Sequence, residues 1–404
     1  METRKAEIMK NNETTGTKFK ILGAISAAHF LNDSTQALLV PVYPLLMQQF
    51  SLNFTELGLI SLTYQITASL LQPFIGFWTD KHPMPRLLPI GMCLTLTGLL
   101  TIAGAPHYLL ILAGAIVLGM GSSIFHPESV RVARMAAGGR FGLAQSIFQV
   151  GGNAGQACGP LLVAAIVMPH GQHSLSWLAV LPLAAMALLF WIRGQENVQT
   201  SVIKKSAALS APVPKRLVIR VFAILFILLI ANNFYSASIN NYLIFYLTQK
   251  FGISVQAAQI RLFLYMFALA AGTLLGGPLG DRVGRRYIIW FSILGAAPFT
   301  LMMPHLNLVW TSVILVITGL ILSSAFAAIV VFAQELAPGH VGTIGGMFFG
   351  LSFGIGGIGA AVFGKTADIY GLDVVFKICS FLPLIGILAM FLPTDRKIQS
   401  VRAQ

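Results

Sequence analysis

Long apolar runs separated by short polar stretches fill the 404-residue chain. Twelve runs stand out, near 19–47, 56–79, 87–105, 108–135, 141–168, 175–193, 217–248, 255–280, 287–304, 308–334, 340–368 and 373–393. A helix needs about 20 mostly apolar residues to cross the hydrocarbon core of a bilayer. The pattern therefore predicts an all-α membrane protein with twelve transmembrane helices. Residues 194–216 break the series, with Lys204, Lys205, Pro212, Pro214, Lys215 and Arg216 set among Gln, Asn and Ser. A polar linker there divides six helices from six. The expected layout is a tail over 1–18, a six-helix bundle over 19–193, the linker over 194–216, a second bundle over 217–393 and a tail over 394–404.

The two halves repeat each other. Gly76, Asp80 and Lys81 return as Gly277, Asp281 and Arg282, 201 residues later, and Ser122 and Ser123 return as Ser323 and Ser324 at the same offset. Gly139, Gly142, Phe148 and Gly159 return as Gly339, Gly342, Phe348 and Gly359, 200 residues on. One insertion or deletion between parallel halves explains the change of offset. Parallel repeats in a membrane chain predict two bundles related by an axis along the membrane normal, with a site between them near the midplane.

Composition sharpens the reading. Hydrophobic residues are 56% of the chain and charged residues 10%, against about 25% charged in soluble domains. The net charge of +13 does not point to nucleic acid, because the basic residues collect at the ends of apolar runs, where topology signals lie. With a cytoplasmic N-terminus, all but four of the 26 Lys and Arg residues fall inside, the exceptions being Lys250, Arg261, Lys365 and Lys377. That predicts an inner-membrane protein with both termini and the linker cytoplasmic. Cys93, Cys158 and Cys379 are isolated in apolar runs and read as small buried hydrophobes, with no disulfide framework or metal spacing.

Polar side chains inside such helices are costly and are candidates for function. The first run carries His29, Asn32, Asp33 and Gln36 on one helical face. Asp33 lies about 14 residues into the run, or roughly 20 Å deep. An unpartnered carboxylate there disfavours its charged form and exchanges a proton; a structural pair with His29, one turn away, is the alternative. The fourth run holds Ser122, Ser123, His126, Pro127, Glu128, Arg131 and Arg134. Glu128 and Arg131 are i, i+3 neighbours, whereas His126 points away from Glu128 on a regular helix. Glu128 reads equally as a proton carrier and as half of a gate pair. The seventh run is rich in neutral polar groups, Asn232, Asn233, Tyr235, Ser236, Ser238, Asn240, Asn241 and Tyr242, suited to a small polar ligand or to hydrogen bonds between helices. In the fifth run Gly151, Gly155 and Gly159 form a smooth stripe, followed by Pro160.

The loop pattern G-x-x-x-D-[RK]-x-G-R-[RK] is complete in the second half as Gly277, Asp281, Arg282, Gly284, Arg285 and Arg286. The first copy keeps Gly76, Asp80 and Lys81 but has Pro83 and Met84 in place of Gly and Arg. The paired copies resemble the signature loops of the major facilitator superfamily, and Gly155 with Gly159 and Pro160 is similar to the antiporter motif of its drug exporters. Longer stretches, His29–Asp33, Leu70–Pro73, Phe125–Glu128, Arg131–Met135 and Gly142–Asn153 among them, resemble the fosmidomycin-resistance exporters of that superfamily. The resemblance implies a proton-coupled antiporter that exports fosmidomycin-like small molecules by alternating access. On that reading His29, Asp33, His126 and Glu128 couple protons. Arg131, Gln36, Gln149, Asn153, Asn232, Asn233 and Tyr235 meet the substrate. Gly76, Asp80, Gly277, Asp281, Arg282, Arg285, Arg286 and Glu335 form a gate, Glu335 as a partner of Arg285 or Arg286. The partners implied are substrate, protons and lipid, for a monomer that needs no cofactor or metal and performs no enzymatic chemistry. One departure stands out: many drug antiporters carry an Arg ahead of the glycine pair in the fourth helix, where this chain has Ala115 before Gly119 and Gly121. A symporter importing a sugar or organic anion, and a receptor or scaffold without transport, are the competing readings. Gly359 to Thr366 fits the phosphate-loop string G-x-x-x-x-G-K-[ST], but it ends an apolar helix where that chemistry needs a strand before it and a helix after it.

Overall fold

The computed structural model describes residues 17–81, 84, 87–137, 141–195, 214–336 and 341–394. Every regular element among them is helical. The first half contains α1 (Phe19–Gln36), α2 (Tyr43–Phe50), α3 (Phe54–Lys81), α4 (Leu87–Ala103), α5 (Tyr108–Met135), α6 (Phe141–Leu162) and α7 (Met168–His170). A 3₁₀ stretch Gln172–Ala179 then leads into α8 (Val180–Gln195). The second half contains α9 (Lys215–Phe251), α10 (Val255–Val283), α11 (Arg285–Leu294), α12 (Ala297–Met302), α13 (Leu308–Leu336), α14 (Val341–Tyr370) and α15 (Leu372–Ser380), followed by a 3₁₀ stretch Leu382–Phe391. Joined end to end where breaks are short, these make twelve segments in two six-helix bundles. Among the described residues, seven stretches are individually long and apolar enough to span a membrane, from Tyr108–Ala133 to Leu372–Phe391. Phe74, Leu109, Ile219, Phe267, Val309 and Trp310 are large apolar side chains left exposed, as suits a protein whose surroundings are lipid.

The breaks have local causes. The first segment, expected to run unbroken to residue 47, interrupts at 37–42. Pro41 and Pro44 each lack an amide proton, so the helix cannot carry its hydrogen-bond ladder through them. In α6, Pro160 precedes a π-turn at Val163–Val167, a common adjustment where the ladder is disturbed. Pro298 and Pro304 divide the ninth segment in the same way. Cys93 is exposed, Cys158 half-buried and Cys379 buried, so the expectation of burial fails for Cys93.

The sequence repeat is also a backbone repeat. Among the described residues, positive φ occurs at Ser51 and Gly252, 201 residues apart, and at Gly171 and Gly371, 200 apart. These are the two offsets seen in the sequence. Each pair closes a helix at the same place in its half. Gly171 has φ 81°, ψ 179° and Gly371 has φ 81°, ψ 162°, a region that is essentially restricted to glycine. Gly284, at φ 100°, makes the one-residue turn between α10 and α11; its register partner Pro83 lies outside the described residues.

Packing differs between the two ends of the molecule. At the end where α8 finishes and α9 begins, the linker end, each half has its own core. Ile25, Met92, Phe125, Phe148 and Leu189 form one, and Leu225, Ile289, Phe332 and Phe348 form the other. At the far end a single core is shared: Tyr43, Leu46 and Ile60 of the first half pack with Ile239, Tyr242, Leu243 and Phe376 of the second. With lipid as the alternative surroundings, van der Waals fit and hydrogen bonds rather than the hydrophobic effect hold such helices together. The fit is close where α3 crosses α14, Gly58 lying directly against the backbone of Ala360 and Ala361. The turn geometry predicts opposite effects of matched substitutions. Gly171→Ala and Gly371→Ala should each cost about 1–3 kcal/mol, and Ser51→Gly should stabilise by up to about 1 kcal/mol, read as shifts in the thermal unfolding midpoint of detergent-purified protein.

Candidate functional site

The polar groups of α1 meet those of α5 and α6 in the first half. His29 and Asp33 are one turn apart on α1, and both are buried, at 2% exposure. The Asp33 carboxylate is not solitary. Its Oδ1 lies 3.4 Å from His29 Nε2 and 3.5 Å from His126 Nε2, and it accepts a hydrogen bond from Asn32 Nδ2 at 2.9 Å. Its Oδ2 accepts from Gln156 Nε2 at 3.0 Å. His126 reaches this centre from α5, where its side chain keeps 19% exposure. The pairing with His29, the alternative to a solitary carboxylate, is therefore present, and three further groups complete it.

Both imidazoles are oriented from behind. His29 Nδ1 is 2.8 Å from the carbonyl oxygen of Phe148, and His126 Nδ1 is 3.0 Å from that of Ser122. A carbonyl only accepts, so each Nδ1 carries the proton it donates. Both Nε2 atoms then face Asp33 Oδ1. With no proton between them, three lone pairs would converge in a buried space, so the arrangement calls for at least one shared proton. The ring of His29 also stacks on Phe148, with centroids 4.0 Å apart, and Gly152 of α6 lies directly beneath it. Any side chain at 152 would occupy the space of the imidazole. The glycine stripe has the same use along α1: Gly151 touches the backbone of Ser26, Gly155 that of Phe30, and Gly159 that of Ala37.

A second group adjoins the first. Gln36 Oε1 accepts from Tyr64 Oη at 2.8 Å and from Ser122 Oγ at 3.1 Å. Glu128, buried at 3% exposure, pairs with Arg131 on the same helix. His126 and Glu128 thus face different partners, as their spacing predicts. Gln149 Nε2 donates to Asn153 Oδ1 at 3.1 Å along α6. In the second half, Asn233 donates to the carbonyl of Leu229 at 2.8 Å on its own helix, and Tyr235 is buried. The side-chain oxygens of Asn232 and Asn240 find no hydrogen-bond partner among the described residues. No described contact joins Asn232, Asn233 or Tyr235 to the Asp33 cluster.

The gate residues divide. Arg286 Nη2 donates to the carbonyl of Met390 at 2.7 Å, which fastens α11 to the last segment, and Arg285 begins α11 beside it. Gly76, Asp80, Gly277, Asp281, Arg282 and Glu335 fall within helices α3, α10 and α13, but their side chains lie outside the described residues. The described hydrogen bonds between the halves lie at the far end. There Asp368 of α14 accepts from the backbone N–H of Phe54 at 2.8 Å and of Thr55 at 2.7 Å. A carboxylate thus caps the start of α3 from the opposite half, where a helix N-terminus favours negative charge. Ser61 bonds Asn241 and Tyr43 in a chain across the same end, and Gln259 Nε2 reaches the carbonyl of Pro41 at 2.9 Å. Pro41 sits in the break between α1 and α2, so the interruption supplies an acceptor to the other half.

This geometry can be set beside known proteins. The sequence profile of the Major Facilitator Superfamily matches residues 25–246 and again 225–403. The chain belongs to the major facilitator superfamily. It is a transporter, not an enzyme, and a multi-pass membrane protein. This facilitator is 53% identical over 384 residues to the fosmidomycin resistance protein of Escherichia coli K12, covering 94% of each chain. It is 41% identical over 389 residues, and 95% of each chain, to the MFS-type transporter YfnC of Bacillus subtilis 168, which is uncharacterised. Its fold matches a bacterial homologue of the human lysosomal transporter Spinster, in an inward-facing and occupied conformation, at TM-score 0.80, 14% identity and 95% coverage of this chain and 98% of that one. The nucleoside transporter NupG matches at TM-score 0.72 with 14% identity, over 92% and 98% of the two chains.

Sequence reasoning did not single out Gln156, Tyr64 or Asp368. Gln156 continues the spacing of Gln149 and Asn153 at i+7 and i+3, a polar stripe that carried the signal. Asp368 acts 314 residues away in sequence, and no local pattern announces that. Removing it should loosen the far end of the facilitator. Asp368 accepts three hydrogen bonds in all, the third from Thr55 Oγ1, and bonds to a charged acceptor are together worth about 2 kcal/mol or more, so Asp368→Ala should raise the population with the halves parted by roughly 30-fold. Spin labels at positions 53 and 370, in a background without the three native cysteines, would report a longer distance. An unchanged distance distribution would show that the cap carries no weight.

Proposed function

We propose that this facilitator is a proton-coupled efflux antiporter of the bacterial inner membrane, exporting fosmidomycin-like small anionic drugs by alternating access. The observation that carries the coupling is the buried centre in which two Nε2 atoms and one carboxylate oxygen converge. The likeness to a fosmidomycin resistance protein over nearly the whole chain supports efflux and the substrate class. The glycine stripe on α6 ending in Gly159 and Pro160 agrees with antiport.

The proposed cycle follows from proton bookkeeping. With a proton shared between Asp33 and a histidine, α1 and α5 are drawn together. Loss of that proton to the cell interior leaves lone pairs opposed, and the more exposed His126 moves away from Asp33 with α5. Glu128 and Arg131 lie on α5, one turn along. An anionic substrate competes with Glu128 for Arg131, whose guanidinium suits a phosphonate. Substrate binding and proton binding then favour different states of one helix pair, which is what exchange requires. Gln36, Gln149 and Asn153 offer neutral contacts from the first half, and Asn232, Asn233 and Tyr235 from the second. The domain layout fits this cycle: 19–193 carries the charges at Asp33, Glu128 and Arg131, the polar stretch of α9 in 217–393 is neutral, and 194–216 joins the two on the cytoplasmic face with the termini. Arg282, Arg285, Arg286, Asp80 and Asp281 close the linker end when the far end opens.

Reconstitution in liposomes with an imposed pH gradient tests the reading. Substrate should move against the proton flow, and Asp33→Asn should abolish gradient-driven movement while leaving a folded protein. Retained pH-driven transport in Asp33→Asn would remove Asp33 from the mechanism, and co-directional movement of proton and substrate would make the protein a symporter.

A further inference from the structure

The centre of His29, Asp33 and His126 has a second chemical capacity, independent of the antiport reading. We propose that it binds one divalent transition-metal cation of the zinc class, in competition with protons. His29 Nε2, His126 Nε2 and a carboxylate oxygen of Asp33 lie within 4.8 Å of one another. Two of the edges, 3.4 and 3.5 Å, match the roughly 3.3 Å separation of ligand atoms around a tetrahedral zinc ion with bonds of about 2.0–2.1 Å. Two imidazoles and one carboxylate make a donor set that suits zinc, cobalt or nickel rather than magnesium or calcium.

The outer contacts are those that metal-binding histidines need. Each ring donates its Nδ1–H to a backbone carbonyl, Phe148 for His29 and Ser122 for His126, which fixes the tautomer with Nε2 as a lone-pair donor. Asn32 and Gln156 hold the two oxygens of Asp33, and Oδ1 keeps a further lone pair for a ligand bond. The partial exposure of His126 leaves one side for water or another oxygen as fourth ligand. A cation there replaces whatever proton the three atoms share and releases it to solvent, so binding strengthens as pH rises. The other titratable or charged groups near the centre are Tyr64 from α3, which donates to Gln36, and the Glu128–Arg131 pair of α5, whose charges offset each other.

The test uses the full-length protein in detergent, stripped with chelator, and cobalt(II) as a spectroscopic probe. One cobalt per chain should give the intense visible absorption of a tetrahedral site, displaced by zinc, with proton release on binding. His126→Gln and Asp33→Asn should each weaken binding more than tenfold, about the least effect of losing even an outer-shell partner. A His170→Ala/His173→Ala variant, altered at two exposed histidines, should bind as the unaltered protein does. Absence of the absorption, or its survival in His126→Gln, overturns the proposal. Should the variants misfold, labelling the unaltered protein with diethyl pyrocarbonate decides: zinc should protect His126, and labelling indifferent to saturating zinc overturns the site. Gradient-driven efflux in chelator-containing buffer separates this from the transport reading. Efflux without metal binding overturns only the metal site, and metal binding without pH-driven efflux overturns only the antiport.

Discussion

A carboxylate inside a bilayer must be paired, protonated or absent, because the cost of leaving it bare exceeds what one helix contact returns. Asp33 meets that constraint with four neighbours from three helices. Asn32 and His29 come from α1, His126 from α5 and Gln156 from α6. To bring them in, α1 must lie almost backbone to backbone on α6, and the glycine stripe permits that. The ring of His29 needs a floor without a side chain, and Gly152 supplies it. The packing of the first half and the chemistry of its centre are therefore one arrangement, and neither is free to vary without the other.

The second constraint is that the halves cannot be closed at both ends if anything is to pass. In this structure the far end is shut by a common core and by Asp368 capping the opposite half, whereas each half keeps its own core toward the linker. Between the halves, the hydrogen bonds of Asp368, Asn241 and Gln259 are placed where the halves must part and re-join. Such contacts hold one state without welding it, since water can take over each bond as the end opens.

Much of this was readable along the chain, for physical reasons. Apolar runs of bilayer length fixed the helices, and offsets of 201 and 200 residues exposed two halves that the turn angles at Ser51, Gly171, Gly252 and Gly371 repeat. The common face of His29, Asp33 and Gln36 was legible because helical spacing alone decides it. The approach of His126 was not, since it depends on how α5 crosses α1. Spacing correctly kept His126 away from Glu128 but had no means of naming its partner. Asp33 read as either solitary or paired with His29 alone, because Gln156 and His126 are distant in sequence. The break at 37–42 was missed although Pro41 and Pro44 were in plain view, because the apolar run continues through them. Asp368 was hidden for a different reason: its partner is a helix end, a backbone feature that leaves no mark on the residues that provide it.

The central claim is that the Asp33 centre holds a proton that substrate binding displaces. Proton release on adding a fosmidomycin-like substrate to detergent-purified protein, in weakly buffered solution, measures this without membranes or gradients. The account predicts about one proton per bound substrate near neutral pH and none in Asp33→Asn. Substrate binding with no proton released at any pH between 5 and 9, or release of the same size in Asp33→Asn, would contradict it.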